Sequence, residues 1–88
     1  MRFTWDARKA AVNLRKHAVS FEEAATAFED ELAAYFPDAL HPQRFILIGQ
    51  SQRSRLLYVV HAEVLQDVIR IISARRATAH ERARYKDA

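Results

Sequence analysis

The hydrophobic and polar positions of this chain predict two helices, then a run of strands, then a closing helix. From Asp67 onward Val68, Ile69, Ile71 and Ile72 crowd β-branched side chains too densely for a helix surface. That stretch predicts a strand ending at Arg75 and Arg76. Gln43 to Ser51 alternates with period two, Phe45, Leu47 and Gly49 on one face and Ile46 and Ile48 on the other. Arg55 to Glu63 predicts the next strand, with Leu57, Val59 and His61 sharing a face, and Leu32 to Phe36 a shorter one that stops at Pro37. The turns at Ser51 to Ser54 and Val64 to Gln66 are short, which favours hairpins over parallel crossovers and predicts a four-stranded antiparallel meander. Phe3 and Trp5 alternate with polar neighbours and suggest a brief fifth strand at the N-terminal edge.

The helices carry their own start signals. Asp6 can cap a helix in which Ala7, Ala10, Ala11, Leu14 and Ala18 recur at helical spacing, with His17 at its C-terminal end. Ser20 to Glu23 is a capping box opening a second helix whose stripe is Phe21, Ala24, Ala25 and Phe28. Thr78 to Glu81 spells another box, so a third helix starts within two residues of the arginine pair. The predicted class is α+β: an antiparallel sheet of four to five strands with two N-terminal helices packed on one face and a C-terminal helix closing it.

With 88 residues, half of them apolar, one folded domain spanning residues 1–88 is expected. The chain has no cysteine, which removes disulfides and thiolate metal sites, and no apolar run nears the roughly 18 residues a membrane helix needs. A cytoplasmic protein without membrane contact is the expectation. The single glycine, Gly49, rules out a glycine-rich phosphate loop. A net charge of +3 is a modest excess, but its distribution is uneven. Arg70, Arg75, Arg76, Arg82, Arg84 and Lys86 gather near the C-terminus against one acid, Glu81, while Glu22, Glu23, Glu29, Asp30 and Glu31 form an acidic segment.

One ordered set of motifs goes further than composition. Trp5 to Asp6, Lys9 to Ala11, Asn13 to His17, Val19 to Ala24, Tyr35 to Asp38, Arg44 to Gly49, Ile69 to Thr78 and Glu81 to Tyr85 together resemble the BrnT family of toxins from type II toxin-antitoxin modules. The resemblance runs nearly end to end. It implies a compact sheet with helices related to the RelE-like ribonuclease toxins, and RNA cleavage that halts translation. It also implies a BrnA-type ribbon-helix-helix antitoxin as partner, through which alone the chain would meet operator DNA. Ala18 and the Val64 to Gln66 turn stand where relatives commonly have glycine, and Ala79 and His80 where they often have arginine.

Metal-free RNA cleavage requires a proton to leave a 2′-hydroxyl, extra charge on the phosphorus oxygens to be stabilised, and the departing 5′-oxygen to be protonated. Arginine suits the middle task, because its planar fork stays charged and holds two oxygens at once. Arg75, Arg76 and Arg70 are therefore the candidates for phosphate binding and transition-state stabilisation. Strand alternation puts Arg70 on the face of Arg76 and leaves Arg75 on the other, free to contact a partner or pin the helix. His61, mid-strand among apolar neighbours, and Glu81 are candidate acid-base groups, with a hydrogen-bonded core histidine and a helix cap as their structural counterparts. Lys16, Arg15, Arg55 and His80 are candidates for RNA contact. Tyr85 and Trp5 could stack on bases, although docking the last helix and anchoring the core are competing roles. No histidine or carboxylate spacing suggests a metal, and no cofactor is expected. A second functional expectation is a non-catalytic, degenerate toxin that holds an antitoxin and modulates its DNA binding.

Overall fold

Residues 1–86 are described by a computed structural model. The elements in chain order are β1 (Arg2–Thr4), α1 (Ala7–His17), α2 (Phe21–Thr26) with a turn of 3-10 helix (Ala27–Glu29), β2 (Ala34–Pro37), β3 (Phe45–Gln50), β4 (Leu56–Leu65), β5 (Val68–Arg76) and α3 (Ala79–Lys86). The strands form one sheet in the order β1-β5-β4-β3-β2. β2 to β5 make the antiparallel meander. β1 instead runs parallel to β5, Arg2 opposite Val68 and Thr4 opposite Arg70, which corrects the all-antiparallel expectation to a mixed sheet. The hairpin rule does not reach this pair: both helices and the meander separate the two strands, and a parallel pairing needs such a long crossover.

The caps act locally. Asp6 Oδ1 accepts from the Arg8 and Lys9 amides at 2.8 and 3.1 Å, and Ser20 Oγ from the Glu23 amide at 3.0 Å. The Thr78 box closes in both directions, Thr78 N to Glu81 Oε1 at 2.9 Å and Glu81 N to Thr78 Oγ1 at 3.2 Å. The Ser20 box closes in one only, because the Glu23 carboxylate turns inward. β4 continues to Leu65, so the β4–β5 turn sits at Gln66 and Asp67, and Asp67 takes a left-handed φ of 64°. Ala18 does the same at φ 58° where α1 ends. Both are conformations that glycine adopts without strain.

Packing uses both faces of the sheet. Leu47, Leu57, Val59, Ile71 and Ala74 are buried beneath Val19, Phe21, Ala24 and Ala27 of the α1–α2 layer. Ile46, Ile48 and Leu56 face the other way and are covered by Phe36, Tyr58, Val60 and Tyr85, the last from α3. Gly49 is required by close approach: a Cβ there would stand 2.9 Å from the Ala27 carbonyl oxygen.

In α1 the alanine-leucine stripe is only partly right. Leu14, Ala7 and Ala11 are exposed, and the buried residue is Asn13. Its Nδ2 donates to the Val19 and Ala74 carbonyls at 2.9 and 2.8 Å, and its Oδ1 accepts from the Ala74 amide at 3.1 Å. The side chain thereby pairs with the open edge of β5 as a neighbouring strand would. No helix among the described residues is long and apolar enough to cross a membrane.

Candidate functional site

The arginine pair divides at the end of β5. Arg75 lies opposite Tyr58 and Arg76 opposite Leu57, so their side chains leave on different faces. The Arg75 guanidinium sits 4.1 Å from the centre of the Tyr58 ring and donates Nη1 and Nη2 to the two Glu81 oxygens, each at 2.8 Å. Arg75 thus pins α3 to the sheet. Glu81, held by Arg75 and the Thr78 amide, has its carboxyl pKa lowered, first by the Arg75 hydrogen bond. It is a saturated ionic anchor, poorly placed to accept a proton from substrate.

Alternation fails between the pair and Arg70. Val60 pairs with Ser73 and His61 with Ile71, so one step on β4 matches two on β5 and Ile72 is bulged out. The bulge reverses parity: Arg70 shares a face with Arg75, opposite to the expectation from counting. Arg70 lies six residues from Arg76, about 20 Å along the strand. The structure does not bring the two together.

Arg76 meets other partners. It is exposed, has no carboxylate partner among the described residues, and lines a groove of about 310 Å³ with Arg55, Arg82, Gln50, Ser54, Leu56 and Tyr85. Arg55 is fixed there by Glu23: Nε donates to Oε2 at 2.9 Å, Nη2 to Oε1, and Nη2 also reaches the Ala18 carbonyl at 2.9 Å. Ser51 Oγ adds a 2.7 Å bond to the same carboxylate, and the Arg55 hydrogen bond chiefly lowers the Glu23 pKa. The Tyr85 hydroxyl donates a hydrogen bond to Asp30 Oδ2 at 2.7 Å, which raises the tyrosine pKa, while Asp30 also accepts from the Gln50 amide at 2.8 Å. Tyr85 therefore docks α3, and Arg84, over the Phe36 ring at 3.8 Å, docks it again.

The remaining candidates lie elsewhere. His61 is buried, four residues along β4 from the Leu57–Arg76 pair, about 13 Å away along the strand. Its ring is edge-on to Phe28 at 4.8 Å, with Tyr35 and Phe45 near, and burial lowers its pKa, so it is a neutral core histidine. Trp5 packs edge-on against Phe21 at 5.9 Å as a core anchor. His80 is exposed on the first turn of α3; Arg15 and Lys16 are exposed on α1. Arg82 is the groove arginine that the sequence reading counted in the basic cluster but did not single out as a site residue. Its signal was available, since Arg82 and Tyr85 are three apart on a helix and share a face. Among the described residues no three His, Cys, Asp or Glu side chains converge as a metal site would require.

The chain is a small mixed-sheet α+β protein with three arginines around one groove, and comparison with known proteins gives that class a family. The profile described as "Ribonuclease toxin, BrnT, of type II toxin-antitoxin system" matches residues 5–81, and the chain belongs to this family. Its structure is similar to the 1.1 Å crystal structure of the Brucella abortus ribonuclease toxin BrnT, with a TM-score of 0.73 and 25% identity over 89% of this chain and 97% of that one. No curated protein matches the chain. The family gives RNA as substrate class and an antitoxin as partner. Arg55 and Arg76 fall inside the matched span; Arg82 and Tyr85 lie just beyond it.

Proposed function

We propose that the chain is an endoribonuclease that cuts RNA by attack of a 2′-hydroxyl on the adjacent phosphate, with that phosphate held between Arg76 and Arg82 and beside Arg55. The observation that carries the proposal is Arg76, exposed and without a carboxylate partner among the described residues, in one groove with two further guanidinium groups. As the 2′-oxygen bonds to phosphorus and the 5′-oxygen leaves, charge builds on the non-bridging oxygens. Guanidinium donors gathered around the phosphate favour that state over the ground state. The products are a 2′,3′-cyclic phosphate and a 5′-hydroxyl. No metal is needed in this scheme, because the arginines supply the cationic stabilisation. Glu81 and His61, the acid-base candidates of the sequence, are committed to Arg75 and to the core. Protons therefore exchange with water in the open groove.

The same proposal makes the protein a relative of RelE-like toxins that acts in the cytoplasm, halts translation and is neutralised by a BrnA-type ribbon-helix-helix antitoxin. Its support is the family match together with the resemblance of the chain's motifs. Labelled RNA incubated with the purified chain in excess EDTA tests the chemistry. Wild type is expected to yield cyclic-phosphate ends, and Arg76→Ala to cut about 100- to 1,000-fold more slowly with an unchanged melting temperature. RNA left intact by wild type, with no growth arrest on expression, would instead support a non-catalytic antitoxin-binding module. The sequestration of Glu81 and His61 is the observation favouring that second reading.

A further inference from the structure

We propose that RNA reaches the arginine groove along α1, in a second basic channel between that helix and the edge of β5 that binds phosphodiesters flanking the scissile one. This deepens the ribonuclease reading and rests on it.

The channel has a volume of about 320 Å³ and is lined by Arg8, Lys9, Lys16 and His17 of α1, with Ile72 and Ser73 of β5 along its other wall. α1 contains no acidic residue, and the Asp6 carboxylate that caps it accepts from the Arg8 and Lys9 amides. Lys9 and Lys16 are seven residues apart, two helical turns, and so stand on one face about 10 Å from each other. Both are exposed and in no ion pair among the described residues. The channel owes its shape to two features already described. β1 stops pairing with β5 at Arg70, and Asn13 takes the edge again at Ala74, so the bulged segment at Ile72 and Ser73 faces the helix.

The channel and the arginine groove share no lining residue, but one hydrogen bond links their walls. Arg55, which lines the groove, donates to the carbonyl of Ala18 at the end of α1. A strand leaving Arg76 and passing Arg55 thus arrives at Lys16 and His17 and continues to Lys9 and Arg8. Lysines on flexible stems suit a backbone whose phosphates vary in position, whereas the planar arginine fork suits the single phosphate being cut. An antitoxin segment is the rival occupant. The Arg55–Ala18 link, next to His17 of the channel, favours RNA, because flanking phosphates must lie on one side or other of the scissile one.

Binding, rather than cutting, is the measurement that isolates this channel. Mixed-sequence 2′-O-methyl RNAs of 4 and 12 nucleotides, which cannot be cut by 2′-hydroxyl attack, would be titrated by fluorescence anisotropy over a salt series. Wild type is expected to bind the longer RNA about tenfold more tightly. Lys9→Ala with Lys16→Ala should abolish that advantage. Losing two phosphate contacts should also flatten the plot of log affinity against log salt by about 1.4, at roughly 0.7 per single-strand phosphate. Because both side chains are exposed, a melting curve will verify that the variant folds. An unchanged length advantage and salt slope would overturn the proposal, as would lost antitoxin binding with RNA binding intact. A wild-type chain that binds these RNAs normally but cuts no natural RNA sinks the ribonuclease reading alone and leaves the channel supported by its own titration.

Discussion

His61 shows how much of a residue's role is decided by its surroundings. In the sequence it is a neutral-range titratable group on a strand, the usual description of an acid-base catalyst. In the structure it is 4% exposed, its Nδ1 lies 3.3 Å from the Val59 carbonyl, and Phe28 covers it edge-on. Burial holds its pKa below the ordinary value, so the folded protein resists a proton that the unfolded chain accepts. The sign follows: folded and unfolded states bind equal protons above pH about 6.5, and the unfolded state binds more below it. Stability should therefore fall as pH drops from about 6.5 towards the folded-state pKa. His61→Phe, which keeps a flat ring among aromatic neighbours, should flatten that limb. Urea midpoints at pH 7.5 and 5.5 check this, and an equally steep acid loss in the variant would deny His61 the effect.

Among elements, the strands and caps were legible and the irregularities were not. Period-two alternation located β3 and β4, β-branched density located β5, and the Thr78 box located the start of α3, because each is written in local order. β1's parallel pairing had no local signature, since its partner lies more than sixty residues away. The bulge at Ile72 was invisible for a related reason: nothing in VIRIISARR marks the extra residue, and one unmatched position inverted the face of Arg70. The role of Asn13 has no local signature either, because it depends on a strand edge sixty-one positions on. Its removal is therefore a test of the α1–β5 junction. Asn13→Ala leaves the Ala74 amide and carbonyl and the Val19 carbonyl without their partner, and should cost about 2–3 kcal/mol by urea unfolding. Hydrogen exchange at the Ala74 amide should accelerate in the same variant, which a general loss of helix packing would not single out.

At the scale of the molecule, the groove is where three helices and the sheet are tied together, and Arg55 is the arginine that ties α1 and α2 there. Glu23 opens α2, yet it receives Ser51 from the β3–β4 turn and Arg55 from the start of β4, and Arg55 also holds the end of α1. Tyr85 and Asp30 join α3 to the β3 end by the same logic. The sequence shows the acids and arginines as separate clusters; their interlocking depends on a fold that brings residues 23 and 55 into contact. The pair separates stability from function. Glu23→Ala leaves Arg55 unpaired and should cost about 2–3 kcal/mol, less than a fully buried pair because the Arg55 side chain keeps 20% of its surface exposed. Changing both partners, Glu23→Met with Arg55→Leu, removes the unpaired charge and should recover most of that stability. RNA cleavage should nevertheless remain depressed, because the groove has lost one of its three guanidinium groups. Melting temperature and cleavage rate measured on the same samples distinguish the cases. If the double variant regained full activity along with its stability, Arg55 would be a structural tether alone, and the phosphate would rest on Arg76 and Arg82.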